Sequence, residues 1–168
     1  MATVIRGDDN FDTAFAKSVA VIADVKAYNV AGGTFTSGSF LTRDLNTELD
    51  DPENIVTIAS NQFTLQAGTY LVEWSAPSYK VSTNVSKLQN ITDNVTEAEG
   101  MVAYADNADN NATFSAGAGI VTITSAKVFE IQHRCEDTKA TNGYGVQQSV
   151  ASLVNSVFTL VKIHKIGA

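Results

Sequence analysis

Between Asn61 and Pro77 the chain reads NQFTLQAGTYLVEWSAP, two apolar runs hinged at Ala67-Gly68. In the second run the large side chains fall on every other residue: Tyr70, Val72, Trp74. A period of two sends consecutive side chains to opposite faces of an extended strand, so these three share one face while Thr69, Glu73 and Ser75 share the other. Such alternation fits a strand with one side in a core and conflicts with a helix, whose apolar stripe recurs every three to four residues. Tyr70, Val72 and Trp74 are therefore expected in the core.

The same reading extends along the chain. Residues 19–28 place Val19, Val21, Ala23 and Val25 on one face, the pattern of a half-buried strand. Gly32-Gly33 and residues 34–38 read as a turn and a short strand, residues 40–46 as another strand, and the acidic stretch 48–53 with Pro52 as a loop. Short β-branched runs follow at 55–59 and 63–65, with further strands expected near 80–90, 100–104, 112–124, 128–135 and 157–166. Phe129 and Ile131 share a face of the 128–135 run with His133 and Cys135, so both are expected core residues. Val146, Val150, Leu153, Val154 and Val157 fit a helical period and allow a helical turn there. Many short strands with no alternation of strand and helix predict an all-β fold, an antiparallel jelly-roll sandwich of about ten strands.

The last strand breaks the pattern. In VFTLVKI a period of two puts Val157, Val161 and Ile163 on one side and Phe158 and Leu160 on the other, apolar on both faces. A sandwich strand with one face in water should alternate cleanly, so something covers the second face. Neighbouring copies of the chain are the economical cover, and Val157, Phe158, Leu160, Val161 and Ile163 become the expected interface of a symmetric oligomer.

The stretches Phe63-Thr64-Leu65, Ala67-Gly68-Thr69-Tyr70 and Ser75-Ala76-Pro77, with the closing Phe158-Thr159-Leu160-Val161-Lys162-Ile163, resemble the complement and tumour-necrosis-factor jelly-roll superfamily. Four further modules resemble segments of tailed-bacteriophage virion proteins: Thr34-Phe35-Thr36-Ser37-Gly38, Arg43-Asp44-Leu45-Asn46, Phe129-Glu130-Ile131-Gln132-His133-Arg134-Cys135 and Ala140-Thr141-Asn142-Gly143. The resemblance spans about residues 19–166. It implies a ten-strand jelly roll assembling as a threefold homotrimer around the last strand, and leaves the task open, because the module caps fibres, decorates capsids and binds receptors. On this reading residues 1–18 form an extended anchoring arm and residues 19–168 the jelly-roll domain. Arg6, Phe11 and Phe15 are the expected capsid anchor.

Charge narrows the partners. Eleven Lys and Arg against eighteen Asp and Glu give a net charge of −7, which repels nucleic acid and anionic membrane surfaces, so neither is an expected partner. The single Cys135 forms no intrachain bridge, and residues 1–13 carry no apolar signal-peptide core, so folding in a reducing cytoplasm is expected. His133 and Cys135 have only His164 as a further histidine, too few for a zinc site, and their face reads as packed core. Asp50-Asp51 and residues 106–111 cluster oxygens without the spacing of a calcium loop. Arg6-Gly7-Asp8 reads as part of a polar arm, and the triplets beginning at Asn84, Asn90, Asn94 and Asn111 as exposed polar segments. No nucleophile motif, phosphate loop or dinucleotide fingerprint occurs, so no enzyme activity and no cofactor are expected. The sequence-level expectation is a trimeric decoration or cement protein bound to the major capsid protein or another virion protein. Its rival is a tail-fibre tip that binds a host-surface receptor or glycan.

Overall fold

A computed structural model of the chain describes residues 18–152 and 154–167. It contains twelve strands: β1 (Val19–Lys26), β2 (Leu41–Thr42), β3 (Thr47–Asp50), β4 (Val56–Ala59), β5 (Gln62–Leu65), β6 (Gly68–Tyr79), β7 (Ser82–Asn90), β8 (Val95–Glu99), β9 (Ala103–Ala105), β10 (Ala112–Ile123), β11 (Lys127–Cys135) and β12 (Ser156–Gly167). One sheet runs β10-β6-β12-β1-β3. The other runs β4-β5-β11-β7-β8, with β2 added beside β11 and β9 beside β7. All named pairings are antiparallel, and the two sheets face each other as a jelly-roll sandwich. No helix occurs among the described residues, including those of the segment 146–155 where the apolar spacing allowed a turn; Leu153 lies outside the described residues.

The core forms where the inner faces meet. Tyr70, Val72 and Trp74 of β6, Phe129 and Ile131 of β11, and Val161 and Ile163 of β12 belong to one buried cluster with Ile22, Phe63, Leu65 and Leu88. Trp74 lies over β10 at Gly117, where a Cβ would collide with the indole ring. Its Nε1 donates to Ser86 Oγ at 2.7 Å, and the Ser115 hydroxyl accepts from Ser86 N at 2.8 Å, so a short polar stitch satisfies the indole and ties the sheets together.

The stretch 40–50 departs from the sequence reading. Only Leu41–Thr42 of the expected 40–46 strand pairs in a sheet, and a strand appears instead at Thr47–Asp50, overlapping the first part of the expected acidic loop. Arg43 turns into the interior and interrupts the run, while the loop proper is tightened by Asp51, whose carboxylate accepts from Ile55 N and Val56 N. Strand β8 was absent from the expected set as well. It is a polar edge strand, VTEAE, with no side chain in the main core cluster except the partly buried Ala98.

A β-bulge corrects the face assignment of the last strand. Ala23 pairs with Leu160 but Val25 pairs with Val157, so one extra residue of β12 is accommodated between them. The bulge shifts the alternation by one step: Phe158 and Thr159 are both buried, Val161 and Ile163 point into the core, and Val157, Leu160, Lys162 and His164 take the outer face. Of the five expected interface residues, Phe158, Val161 and Ile163 are thus covered by their own chain. Val157 and Leu160 remain turned outward.

Candidate functional site

The register of the five-stranded sheet assembles its outer face residue by residue. Val19, Val21, Ala23 and Val25 of β1 stand opposite His164, Lys162, Leu160 and Val157 of β12. On the other side of β12, Leu160, Lys162 and His164 stand opposite Ser75, Glu73 and Leu71 of β6, which in turn face Ala116, Ala118 and Ile120 of β10. The alternating face found in residues 19–28 is therefore the outside of the sandwich, and the core side of β1 is Ala20 and Ile22.

This outer face is apolar for most of its width. Ile120 is 65 % exposed, Phe114 59 % and Val157 54 %. Its centre carries the polar trio Glu73, Lys162 and His164, with His164 Nε2 3.4 Å from Glu73 Oε2. A groove of about 520 Å³ opens there, lined by Glu73, Ser75, Glu99, Met101, Leu160 and Lys162, with Trp74 reached through the gap that Gly117 leaves. The groove runs to the sandwich edge at β8 and β9, where Met101, Val102 and Tyr104 are exposed. Met101 N donates to Ala116 O at 2.7 Å and holds this edge against β10. Two apolar surfaces result, a sheet face and an adjoining edge.

The candidate chemical groups are spent on structure. His133 is buried on the inner face of β11, its Nε2 3.0 Å from Asn84 Oδ1, and burial holds its pKa well below the usual value. The Cys135 thiol donates to Asp137 O at 3.2 Å and is pushed up to about 11 by burial, too high for a nucleophile at neutral pH. Asp106 caps its own loop by accepting from Ala108 N and Asp109 N. Among the described residues no group of three His, Cys, Asp or Glu gathers as a metal site. Arg6, Phe11 and Phe15, and the Arg6-Gly7-Asp8 tripeptide, lie outside the described residues.

Sequence reading missed Leu71, Phe114, Ile120 and the edge residues Met101, Val102 and Tyr104. A signal existed in β1, where Ala20 and Ile22 alternate with Val19, Val21, Ala23 and Val25 so that both faces are apolar, as in β12. The four modules that resemble virion-protein segments are far apart in sequence but meet in the fold: Thr141 N donates to Thr34 Oγ1 at 3.0 Å, Phe35 packs on the His133 ring at 4.7 Å, and Arg43 N donates to Ile131 O at 2.8 Å.

No protein-family model matches the sequence, and no curated protein matches it. Solved structures do match the fold. The globular domain of zebrafish complement 1qA is similar with a TM-score of 0.56 at 12% identity, covering 89% of this chain and 97% of that one. Murine APRIL at pH 5.0 is similar with a TM-score of 0.53 at 8% identity, covering 88% of this chain and 99% of that one. The same protein at pH 8.5 gives 0.52 at 10% identity. The chain therefore has the jelly-roll fold of the complement 1qA globular domain and of APRIL.

Proposed function

We propose that this chain is a non-enzymatic structural protein of a tailed-bacteriophage virion, a homotrimer that decorates or cements the capsid. The observation that carries the self-association is the apolar outer face of the five-stranded sheet. Antiparallel sheets turned to water alternate apolar and polar residues, and an exterior apolar over most of its width, broken at Glu73, Lys162 and His164, supports a surface that a partner covers. The face and the edge at Met101, Val102 and Tyr104 are different surfaces, so docking one against the other is heterologous, the contact type that builds a ring when its rotation closes, whereas a two-fold dimer would use one surface twice. The number three, and the virion, come from the sequence resemblance.

Polarity along the sandwich supports an anchored arm. Ser18 O accepts from Lys165 N at 2.8 Å, so the start of β1 and the end of β12 lie together. The loops 28–38, 106–111 and 136–152 lie at the opposite end, beyond the pairs Lys26 with Ser156 and Tyr79 with Ala112. A trimer planted through residues 1–18 would present those loops outward.

Copy number on purified virions tests the reading. Gel densitometry should find hundreds of copies per particle, and deletion of residues 1–18 should leave a trimer that no longer binds capsids. A few dozen copies, with binding to host cells and none to capsids, would replace this reading by a tail-fibre tip.

A further inference from the structure

Arg43 is fully buried, and among the described residues no carboxylate lies within ion-pair distance of it. Its Nε donates to Thr159 Oγ1 at 2.8 Å, its Nη2 donates to Tyr144 O at 3.0 Å, and its guanidinium carbon sits 3.9 Å from the Tyr144 ring centre. Burial lowers its pKa to about 10, so it stays charged at neutral pH. Nη1 is buried with no partner. A second buried atom, His133 Nδ1, also has none.

The two belong to one neighbourhood. Leu41 pairs with His133 and Arg43 N donates to Ile131 O at 2.8 Å, so Arg43 and His133 stand near each other on the inner side of β2 and β11. Phe35 packs at 4.7 Å against the His133 ring and at 4.6 Å against Tyr144, which lies under Arg43.

The hydrogen-bond network fixes which role each orphan plays. Asn84 Nδ2 donates to Ser82 O and Ala103 O, each at 3.2 Å, so the atom it turns to His133 is its oxygen. An amide oxygen only accepts, hence His133 Nε2 carries the proton. Burial and the charge of Arg43 keep the ring neutral, which leaves Nδ1 a bare acceptor. Arg43 Nη1 is a donor only. A ligand that satisfies both must accept from one and donate to the other. Halide and phosphate ions cannot donate to Nδ1 without a proton of their own, and a metal cation would meet the guanidinium charge.

We propose that these two buried, unpartnered atoms share a hydration site, one water molecule that accepts from Arg43 Nη1 and donates to His133 Nδ1. A buried water with two polar partners in otherwise apolar surroundings is a structural component that spares both groups the cost of burial unpaired. It sits where the four modules that resemble virion-protein segments converge, and gives their convergence a chemical centre.

The test is long-range proton–nitrogen NMR on the full-length, nitrogen-15-labelled protein. With two histidines in the chain the ring patterns are separable, and half-exposed His164 supplies the solvent-facing reference. The expected result is a neutral His133 protonated at Nε2, with cross-relaxation from a long-lived water to its ring protons. A proton on Nδ1, a scalar coupling through a direct Nη1–Nδ1 bond, or no bound-water signal would each overturn the proposal. His133→Phe keeps a ring against Phe35 and removes the acceptor, and the water signal should be lost from the Arg43 neighbourhood; a signal that persists unchanged places the water elsewhere. Should that variant not fold, the wild-type spectrum decides alone.

Discussion

On the outside of the five-stranded sheet Val21, Leu71, Leu160 and Ile120 surround a polar centre of Glu73, Lys162 and His164; behind Ile131, on the outside of the seven-stranded sheet, stand Lys87, Gln89, Glu130 and Gln132. The second set is bound to itself. The Glu130 carboxylate accepts from Thr42 Oγ1 at 3.0 Å, Gln62 Nε2 at 2.8 Å and Gln132 Nε2 at 2.6 Å, while Gln89 Oε1 accepts from Lys87 Nζ and Thr96 Oγ1, both at 2.8 Å. Water completes such a surface at little cost. The first face is apolar around its polar centre, and each apolar square ångström removed from water there contributes roughly 25 cal/mol before the costs of association. The two backs of one sandwich thus differ in kind, one a self-bonded polar surface and the other an apolar surface around a polar centre.

The strongest way to break that comparison is to charge the inside of β12 rather than its outside. Val161 is buried in the core opposite Trp74, so Val161→Asp should unfold the single chain, because an unpaired buried carboxylate costs several kcal/mol against a total stability of about 5–15 kcal/mol. Trp74→Ala should cost about 3–5 kcal/mol through the cavity and the lost bond to Ser86. Thermal melts followed by circular dichroism measure both. A Val161→Asp protein that melts like the parent would place Val161 outside and remove the bulge from the account.

A smaller and more telling effect separates the two outer faces. Leu160→Asp should give a folded chain that sediments as a monomer, since the carboxylate is hydrated in the free chain and stranded in the interface. Gln132→Asp, at the matching place on the other sheet, should fold and assemble as the parent does. Sedimentation equilibrium reads both. Assembly lost in the second variant and kept in the first would move the interface to the polar face.

How much of this was legible beforehand depends on which rule a residue obeys. Tyr70, Val72 and Trp74 alternate against Glu73 and Ser75 along an unbroken strand, so period alone assigned their face. The same rule misplaced Val161 and Ile163, because a bulge adds a residue without any mark in composition, and every side chain beyond it changes face. Arg43 was invisible as an interior residue: arginine is almost never fully buried, and the groups that hold it, Thr159 and the Tyr144 carbonyl, lie more than a hundred residues away. Met101, Val102 and Tyr104 form an edge only once β10 is laid beside them, a proximity that no local pattern encodes.

The inner faces differ too, and acid should expose the difference. The five-stranded sheet contributes Asp24 to the interior, where burial outweighs the nearby Lys26 and raises its pKa; the seven-stranded sheet contributes His133, whose pKa burial holds well below 6.5. The two act in opposite senses. Below pH 6.5 the unfolded chain protonates His133 and the folded chain does not, so stability falls as the pH drops from there toward the lowered folded pKa. Asp24 is protonated more readily in the folded chain, so as pH falls through its raised pKa toward 3.8 it returns stability. Because the histidine window opens first, mild acidification should destabilise the protein, by no more than about 1.4 kcal/mol per pH unit for one group. His133→Gln keeps a donor for Asn84 and removes the titration, so its melting temperature should lose the decline between pH 6.5 and 5 whatever its value at neutral pH. An unchanged slope in that variant would show that His133 titrates alike in both states, and the ring would then have to be reached by solvent.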